Sequence, residues 1–281
     1  MTTPTTEKTY ERDERVQLPR PFIMRRMHSI LGIWLVLYLC EHLLVNSQVA
    51  LFFEDEGYGF IDAVNNIHKI PYLRVVEAVF LGLPFLIHGI WGVFYALTGK
   101  LNAHKTDGSK PALPQYKRNR AYSWQRITSW ILLVGILAHV VHMRFIEYPE
   151  RIPQGDVQVY KVKVTEDRGL AQTAQKLKVT LDSDQEGKLF ALAPSPGTAF
   201  LLVVRETFKS PLMVILYSLL VVASAYHAFN GLWTFMITWG VTLTRRSQKV
   251  MRAITNVLMG IVMFLGLMSA WGMFWITQFQ K

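Results

Sequence analysis

Cysteine is almost absent from this 281-residue sequence, because Cys40 is the only one. A single thiol cannot form a disulfide within the chain, a zinc or iron–sulfur cluster, or the paired thioether attachment of covalent haem. Cys40 lies in an apolar run, where packing as a small apolar residue explains it. No glycine-rich dinucleotide fingerprint follows a predicted strand. Any redox centre that this chain holds must therefore rely on other side chains.

Charge is scarce in five long stretches of a chain that is 51% hydrophobic. A helix of about 20 residues crosses the roughly 30 Å hydrocarbon core of a bilayer. The first stretch follows 27 largely polar residues without a small-residue cleavage site, so we expect it to remain in the mature protein. Residues 1–27 are expected to form a cytoplasmic tail, disordered in its polar part. The predicted transmembrane helices are 28–53, 73–97, 123–146, 210–240 and 253–278.

The net charge of +10 is compatible with nucleic-acid binding, but its distribution is typical of a membrane protein. Basic residues crowd the second and fourth connections, and acidic residues dominate the first. By the positive-inside rule, the N-terminus and connections two and four are cytoplasmic, and connections one and three and the C-terminus are outside a bacterial cytoplasmic membrane. The residues concerned are Lys100, Lys105, Lys110, Lys117, Arg118, Arg120 and Arg126 in the second connection, Arg245, Arg246, Lys249 and Arg252 in the fourth, and Glu54, Asp55, Glu56 and Asp62 in the first.

The third connection, residues 147–209, differs from the others because it is long and nearly balanced in charge. Its runs YKVKV (160–164) and KLKVTL (176–181) alternate apolar and polar residues, which predicts a small β-hairpin or sheet outside the membrane. The stretch PSPG (194–197) is predicted to turn the chain back to the bilayer. The expected organisation is all-α transmembrane, with helices one to three at 28–146, this external insert, and helices four and five at 210–281. The insert is either a cap or a partner contact.

Histidines occur inside four of the five predicted spans, where polar side chains are costly and indicate function. A helix rises 1.5 Å per residue, so the depth of each histidine follows from its distance along the span. By this estimate His42 and His139 lie in the outer halves of helices one and three, and His88 and His227 lie somewhat deeper toward the cytoplasm. This depth favours pairing helix one with three and two with four, although helix tilt leaves other pairings open. Two imidazoles facing each other suit the axial sites of b-type haem iron.

Five motifs, in their order along the chain, resemble a known family. They are similar to the single-chain, five-helix, di-haem cytochrome b membrane anchor of succinate dehydrogenases and quinol:fumarate reductases, over about four-fifths of the chain. The motifs are FIMRRMHSILG (22–32), EHLLVN (41–46), LPFLIHGIWG (83–92), HVVHMR (139–144) and YHAFNGLWTFMITWGVTLTRRSQ (226–248), the last being the most specific.

The resemblance implies two haem b groups. His42 and His139 would be the axial ligands of the outer haem, and His88 and His227 those of the inner haem, with His142 an alternative to His139. The resemblance also implies cations near the inner haem propionates, which arginine binds through paired hydrogen bonds. The candidates are Arg25, His28 and Arg126, for which membrane anchoring at a positive interface is the alternative.

The resemblance further implies partners and a substrate. A flavoprotein and an iron–sulfur protein would dock on the cytoplasmic face and pass electrons through the inner and outer haems to a quinone, either menaquinone or ubiquinone. Membrane lipid and further copies of the complex are the other expected partners, and no nucleic acid is expected. The ionisable residues nearest the outer haem, His68 and Glu77, are candidates for the quinone site, ahead of Glu41. The direction of catalysis stays open.

Three rival interpretations remain. A cytochrome b of a hydrogenase or formate dehydrogenase would distribute its histidines differently and would leave the NGLW segment unexplained. A haem-free, proton-coupled transporter predicts internal repeats with matching helix breaks, yet Pro84 has no counterpart in a second half. A structural anchor without haem is the third.

Overall fold

The structure, a computed structural model, describes residues 18–50, 57–98 and 116–279. Three sets of predictions fall outside these residues: the N-terminal tail up to residue 17, the acidic residues 54–56, and the basic residues between 100 and 110. The end of the first predicted span, residues 51–53, also lies outside them.

Five long apolar helices dominate the described residues, and the predicted all-helical membrane bundle is confirmed. The protein is a multi-pass membrane protein. The first, third and fifth helices begin before their apolar windows, because a helix continues into the headgroup region, where basic side chains stay solvated. The first ends short of residue 53, in a turn that follows Ser47. The spans are Arg20–Ser47, Leu73–Thr98, Lys117–Ile146, Pro211–Thr238 and Arg245–Phe279.

The first and fourth spans form the centre of the bundle. The second span packs on the first, the third packs on the fourth, and the fifth contacts both central helices. Small residues allow close approach, as is usual between membrane helices. A Cβ atom on Gly266 would lie 2.7 Å from Val221, and one on Gly135 would lie 2.9 Å from Leu220. We call the end of the bundle where the first and third spans finish the insert end, and the opposite end the far end.

Three π-helical turns interrupt the spans, at Ala78–Gly82, His142–Ile146 and Met268–Gly272. All three lie toward the insert end. A π-turn opens the helical hydrogen-bond ladder and is frequent at functional sites. The indole of Trp34 on the first span donates to the carbonyl of Phe80 in the first of these turns, at 2.6 Å. The turn is thereby tied to the neighbouring span.

The insert is a four-stranded antiparallel sheet with two helices, which confirms the predicted small sheet and adds helices that were not predicted. The strands are β1 (Glu150–Gln154), β2 (Val157–Lys163), β3 (Thr180–Ser183) and β4 (Leu189–Ala193); the short insert helix is Leu170–Lys176 and the long insert helix is Pro196–Phe208. The strand order in the sheet is β1-β2-β4-β3. The β1–β2 hairpin closes through Gly155, whose φ of 61° suits glycine in a two-residue turn.

Two local predictions in the insert were wrong. The run KLKVTL is not one strand, because Lys176 ends the short insert helix and Lys178 adopts a φ of 54°, so that β3 begins only at Thr180. The stretch PSPG does not lead directly to the bilayer. Ser195 accepts a hydrogen bond from the Thr198 amide and Pro196 occupies the first helical turn, so the stretch starts the long insert helix.

The long insert helix packs against a connecting helix, Tyr58–His68, which hydropathy did not predict. The backbones approach so closely that a Cβ atom on Gly197 would lie 2.3 Å from the Ile61 carbonyl oxygen. The Gly197 amide donates to the Asn65 side chain at 2.8 Å. One apolar core joins both helices and the sheet to Val49, Val214 and Met273 at the insert end of the spans. The insert is therefore built onto the bundle.

A charged cluster fixes the long insert helix to the loop after β2. Both terminal nitrogens of the Arg205 guanidinium donate to Asp167, at 2.5 and 2.6 Å, and Lys209 pairs with the same carboxylate at 2.6 Å. Glu206 accepts from the amide and hydroxyl of Thr165. Burial by itself would raise the pKa of Asp167. The hydrogen bonds and charges of Arg205 and Lys209 outweigh that effect and hold the pKa well below its usual range.

We expect the stability of the insert to fall in acid. A carboxylate whose pKa is lowered by folding stabilises the folded state at any pH above its usual value of about 4. This stabilisation is lost progressively as the pH falls below about 5 toward the lowered value. Amide hydrogen exchange in β2 and the long insert helix, corrected for intrinsic rates, should accelerate between pH 5 and 2. Asp167→Asn should flatten that dependence, and equal slopes in the two proteins would contradict it.

Candidate functional site

Four histidines from four spans meet as two pairs inside the bundle. The rings of His42 and His139 have centroids 6.0 Å apart with an interplanar angle of 72°. The rings of His88 and His227 have centroids 6.4 Å apart at 83°. These are the pairs that residue depth favoured. His42 and His139 form the insert-end pair, and His88 and His227 form the far-end pair.

The ring separations suit a shared metal ion. A metal bonded at about 2 Å to one nitrogen of each imidazole would put the two centroids about 6 Å apart. Within the described residues no group of three or more histidine, cysteine, aspartate or glutamate side chains forms a metal site. An ion between either pair therefore needs its other ligands from a non-protein group, as a porphyrin supplies them to haem iron.

The insert-end pair presents its Nδ1 atoms to polar side chains. The Tyr217 hydroxyl lies 3.2 Å from the Nδ1 atom of His139 and 3.1 Å from that of His142. The Tyr38 hydroxyl lies 3.4 Å from Nδ1 of His42, and Asn46 donates to the His42 carbonyl at 2.8 Å. Sequence reasoning missed Tyr217, although a tyrosine ten residues before His227 in the same span was an available signal.

The far-end pair is held by the first span. The Nδ1 atom of His88 donates to the His28 carbonyl at 3.1 Å, and the two rings stack at 4.0 Å with an interplanar angle of 8°. A Cβ atom on Gly32 would lie 3.1 Å from the His88 ring, so glycine leaves room for the imidazole. His42 lies ten residues beyond Gly32 on the same helix. The two pairs are therefore about 15 Å apart along the bundle axis.

Glutamine and asparagine side chains lock the fourth span beside His227. Gln125 of the third span donates to the His227 carbonyl at 3.1 Å and accepts from Asn230 at 2.7 Å. These bonds explain why a polar amide occurs at Asn230 within an apolar helix. They engage the backbone of His227 and leave its ring free to face His88.

Three buried polar atoms near the far-end pair have no hydrogen-bond partner among the described residues. They are Nδ1 of His28, Nδ1 of His227 and Nη1 of Arg126. The other terminal nitrogen of Arg126, Nη2, donates to the Ala96 carbonyl at 2.6 Å. Ala96 lies one helical turn beyond Gly92, and the His28 ring contacts the second span at Gly92. Buried donors without partners are costly. An anionic group with free oxygens, such as a haem propionate, would satisfy Arg126 and His28, so these residues fit the group.

The comparison with known proteins agrees with this geometry. No protein-family model matches the chain. The chain is 26% identical over 249 residues to the succinate dehydrogenase cytochrome b558 subunit of Bacillus subtilis (strain 168). The aligned residues cover 88% of this chain and 95% of that protein. The resemblance to the succinate dehydrogenase cytochrome b subunits is confirmed.

Arg25, the third residue predicted to lie near the inner haem propionates, is exposed on the first turns of its helix. Its neighbour Arg26 is the one that crosses to the fourth span. Arg26 donates to the Thr238 carbonyl and lies over the Trp239 ring at 5.0 Å from its centroid. Arg25 is therefore less well placed than His28 or Arg126 to approach the far-end pair.

The two quinone-site candidates lie at the insert end, in different surroundings. Glu77 at the start of the second span pairs with Arg144 of the third at 2.5 Å, and both side chains are about one-third exposed. His68 ends the connecting helix, donates to its own Val64 carbonyl at 2.9 Å and packs on Phe200. Glu77 therefore already has a cationic partner, and sequence reasoning had not identified Arg144 in that role.

Proposed function

We propose that this chain is the di-haem cytochrome b membrane subunit of a succinate dehydrogenase, which passes electrons between an iron–sulfur subunit and a membrane quinone. The observation that carries the proposal is the two histidine pairs, each at a separation suited to one shared metal, about 15 Å apart along one bundle. The similarity to the Bacillus subtilis cytochrome b558 subunit supports the same function.

In this proposal the four histidines would hold two haem groups. His42 and His139 would bind the iron of the outer haem b, and His88 and His227 would bind that of the inner haem b. When bound, each haem supplies a one-electron couple. His28 and Arg126 would bind the propionates of the inner haem, which is supported by their buried, unpartnered nitrogen atoms. The first span orients His88 through the His28 carbonyl, as outer-shell partners commonly orient histidine ligands.

The far end of the bundle faces the cytoplasm in this proposal. Basic residues cluster where the third and fifth spans begin, which is the side that the positive-inside rule assigns to the cytoplasm. The flavoprotein and iron–sulfur subunits dock there, on a bacterial cytoplasmic membrane. Because the chain has a single cysteine, the clusters belong to a partner. The residues that support this orientation are Lys117, Arg118, Arg120, Arg245, Arg246, Lys249 and Arg252.

The insert end faces the outside and contains the quinone site. Quinone reduction needs protons as well as electrons, so ionisable groups must lie beside the outer haem. His68 and the ion pair of Glu77 with Arg144 are the candidates on the described residues. The core that the insert shares with the spans favours a role as a cap, which excludes water from the insert-end pair.

Haem quantitation tests the proposal. The chain, expressed in haem-competent cells and purified in detergent with whatever copurifies, should contain two haem b per polypeptide by pyridine haemochrome. Its reduced-minus-oxidised spectrum should show b-type bands, and succinate should reduce them when the soluble subunits are bound. Preparations without haem from such cells would exclude electron transfer and favour the transporter interpretation.

A further inference from the structure

A single hydroxyl group joins two histidines that lie one helical turn apart on the third span. Tyr217 of the fourth span places its oxygen 3.2 Å from Nδ1 of His139 and 3.1 Å from Nδ1 of His142. Both distances are within hydrogen-bond range. The tyrosine ring is edge-on to His139, with centroids 5.5 Å apart. This hydroxyl therefore contacts both of the histidines that could serve as the ligand at the insert end.

The hydrogen-bond capacities of these groups link the tautomer of His139 to the proton of Tyr217. A neutral imidazole that binds a metal through Nε2 carries its proton on Nδ1, and a hydroxyl has one proton to donate. If His139 binds iron, its Nδ1–H donates to the Tyr217 oxygen, and the Tyr217 proton is free to be donated to Nδ1 of His142. The reverse arrangement would place the proton of His139 on Nε2 and prevent ligation.

The position of His42 favours His139 over His142 as the ligand. Its ring centroid is 6.0 Å from that of His139, the separation that a shared metal requires. The insert holds the hydroxyl in place, because Phe208 at the end of the long insert helix packs edge-on against the Tyr217 ring at 5.2 Å. Phe208 is buried, and the helix that carries it is fixed by Arg205 and Asp167.

We propose that Tyr217 is a positioning residue for the outer haem: it accepts the Nδ1–H of His139 and fixes the ligating tautomer. The inference rests on the proposed function. An acceptor on Nδ1–H makes the ligand more basic, and a more basic ligand stabilises ferric over ferrous iron. Tyr217 therefore lowers the reduction potential of the outer haem, and the insert influences that potential through Phe208.

Potentiometric titration of Tyr217→Phe tests this role, with the optical and low-spin electron paramagnetic resonance signals of both haems followed together. The phenylalanine ring keeps the contact with Phe208, so the fold should be retained. Both haems should remain, the midpoint potential of the outer haem should rise, and that of the inner haem should stay unchanged. An unchanged outer potential would overturn the proposal. Wild-type protein that lacks haem would instead overturn the proposed function.

Two further variants sharpen the test. Tyr38→Phe removes a hydroxyl that lies 3.4 Å from Nδ1 of His42, beyond the usual hydrogen-bond length, and should shift the outer potential less than Tyr217→Phe does. An equal or larger shift would contradict the special role of Tyr217. His142→Leu should retain two haems, since His139 remains the ligand. Loss of the outer haem in His142→Leu would identify His142 as the ligand and overturn the proposal.

Discussion

Replacing His227 by alanine is expected to lower the haem content from two per chain to one. Only His88 would remain at the far-end pair, and an iron with a single protein ligand is held far less firmly than one with two. The contact of Gln125 with the fourth span survives, because it is made to the backbone carbonyl of residue 227. The bundle should therefore still assemble. Pyridine haemochrome quantitation per polypeptide measures the loss, and electron paramagnetic resonance identifies the missing low-spin haem.

The matched control is His68→Ala. His68 is also a partly buried histidine, but its ring packs on Phe200 and bonds to its own helix, away from either pair. This variant should keep two haems even if it alters quinone reactivity. Full haem content in the His227 variant would show that the far-end assignment is wrong. Loss of both haems would indicate that the inner haem is needed for assembly. The variant His42→Ala tests this explanation, because it should lose only the outer haem.

Hydropathy predicted the bundle, and residue depth favoured the histidine pairs that the structure shows, although helix tilt had left other pairings open. A span of about 20 apolar residues has few alternatives to a membrane helix, so five such stretches predict five spans. The rise per residue then places His42 and His139 at one level and His88 and His227 at another. Both inferences use distances along single helices, which the sequence determines directly.

Contacts between elements were not predictable in the same way. The hydroxyl of Tyr217 lies 78 positions from His139, and the bond from Gly197 to Asn65 spans 132 positions. A periodic pattern does not indicate which residues on two elements meet. The connecting helix was missed for a related reason: its 11 residues are too few to stand out as an apolar window. The alternation in KLKVTL correctly indicated which of its side chains are buried. It did not indicate that Lys178 adopts a positive φ, which prevents the run from forming one strand.

The charge cluster of the insert is the second feature with large energetic consequences. The Arg205 side chain is 4% exposed and depends on Asp167 for both of its close carboxylate contacts. Its other acidic neighbour, Glu206, is 3.9 Å away and is already engaged by Lys209 and Thr165. A buried ion pair contributes little net stability compared with apolar residues, but removal of one partner leaves an uncompensated charge.

Replacing Asp167 by alanine should therefore destabilise the insert by about 3–5 kcal/mol, the usual cost of breaking a buried pair from one side. Arg205 would lose its bidentate partner, and the long insert helix would lose its attachment to the loop after β2. Opening of the insert should become at least about a hundredfold more frequent. Native-state trypsin digestion of the protein in liposomes measures this opening, since cleavage of a transiently opened region follows its equilibrium population.

The double variant Asp167→Leu with Arg205→Met distinguishes loss of the ion pair from general disturbance of the insert. Apolar residues of similar size remove both charges together, and such replacements are often neutral or stabilising. The double variant should therefore be markedly more resistant to trypsin than Asp167→Ala, with Lys209 still paired to Glu206. If it were digested as fast as the single variant, the two side chains would not be energetically coupled. The helix would then be held by its apolar core alone, and Phe208 would keep its place against Tyr217 without the charges.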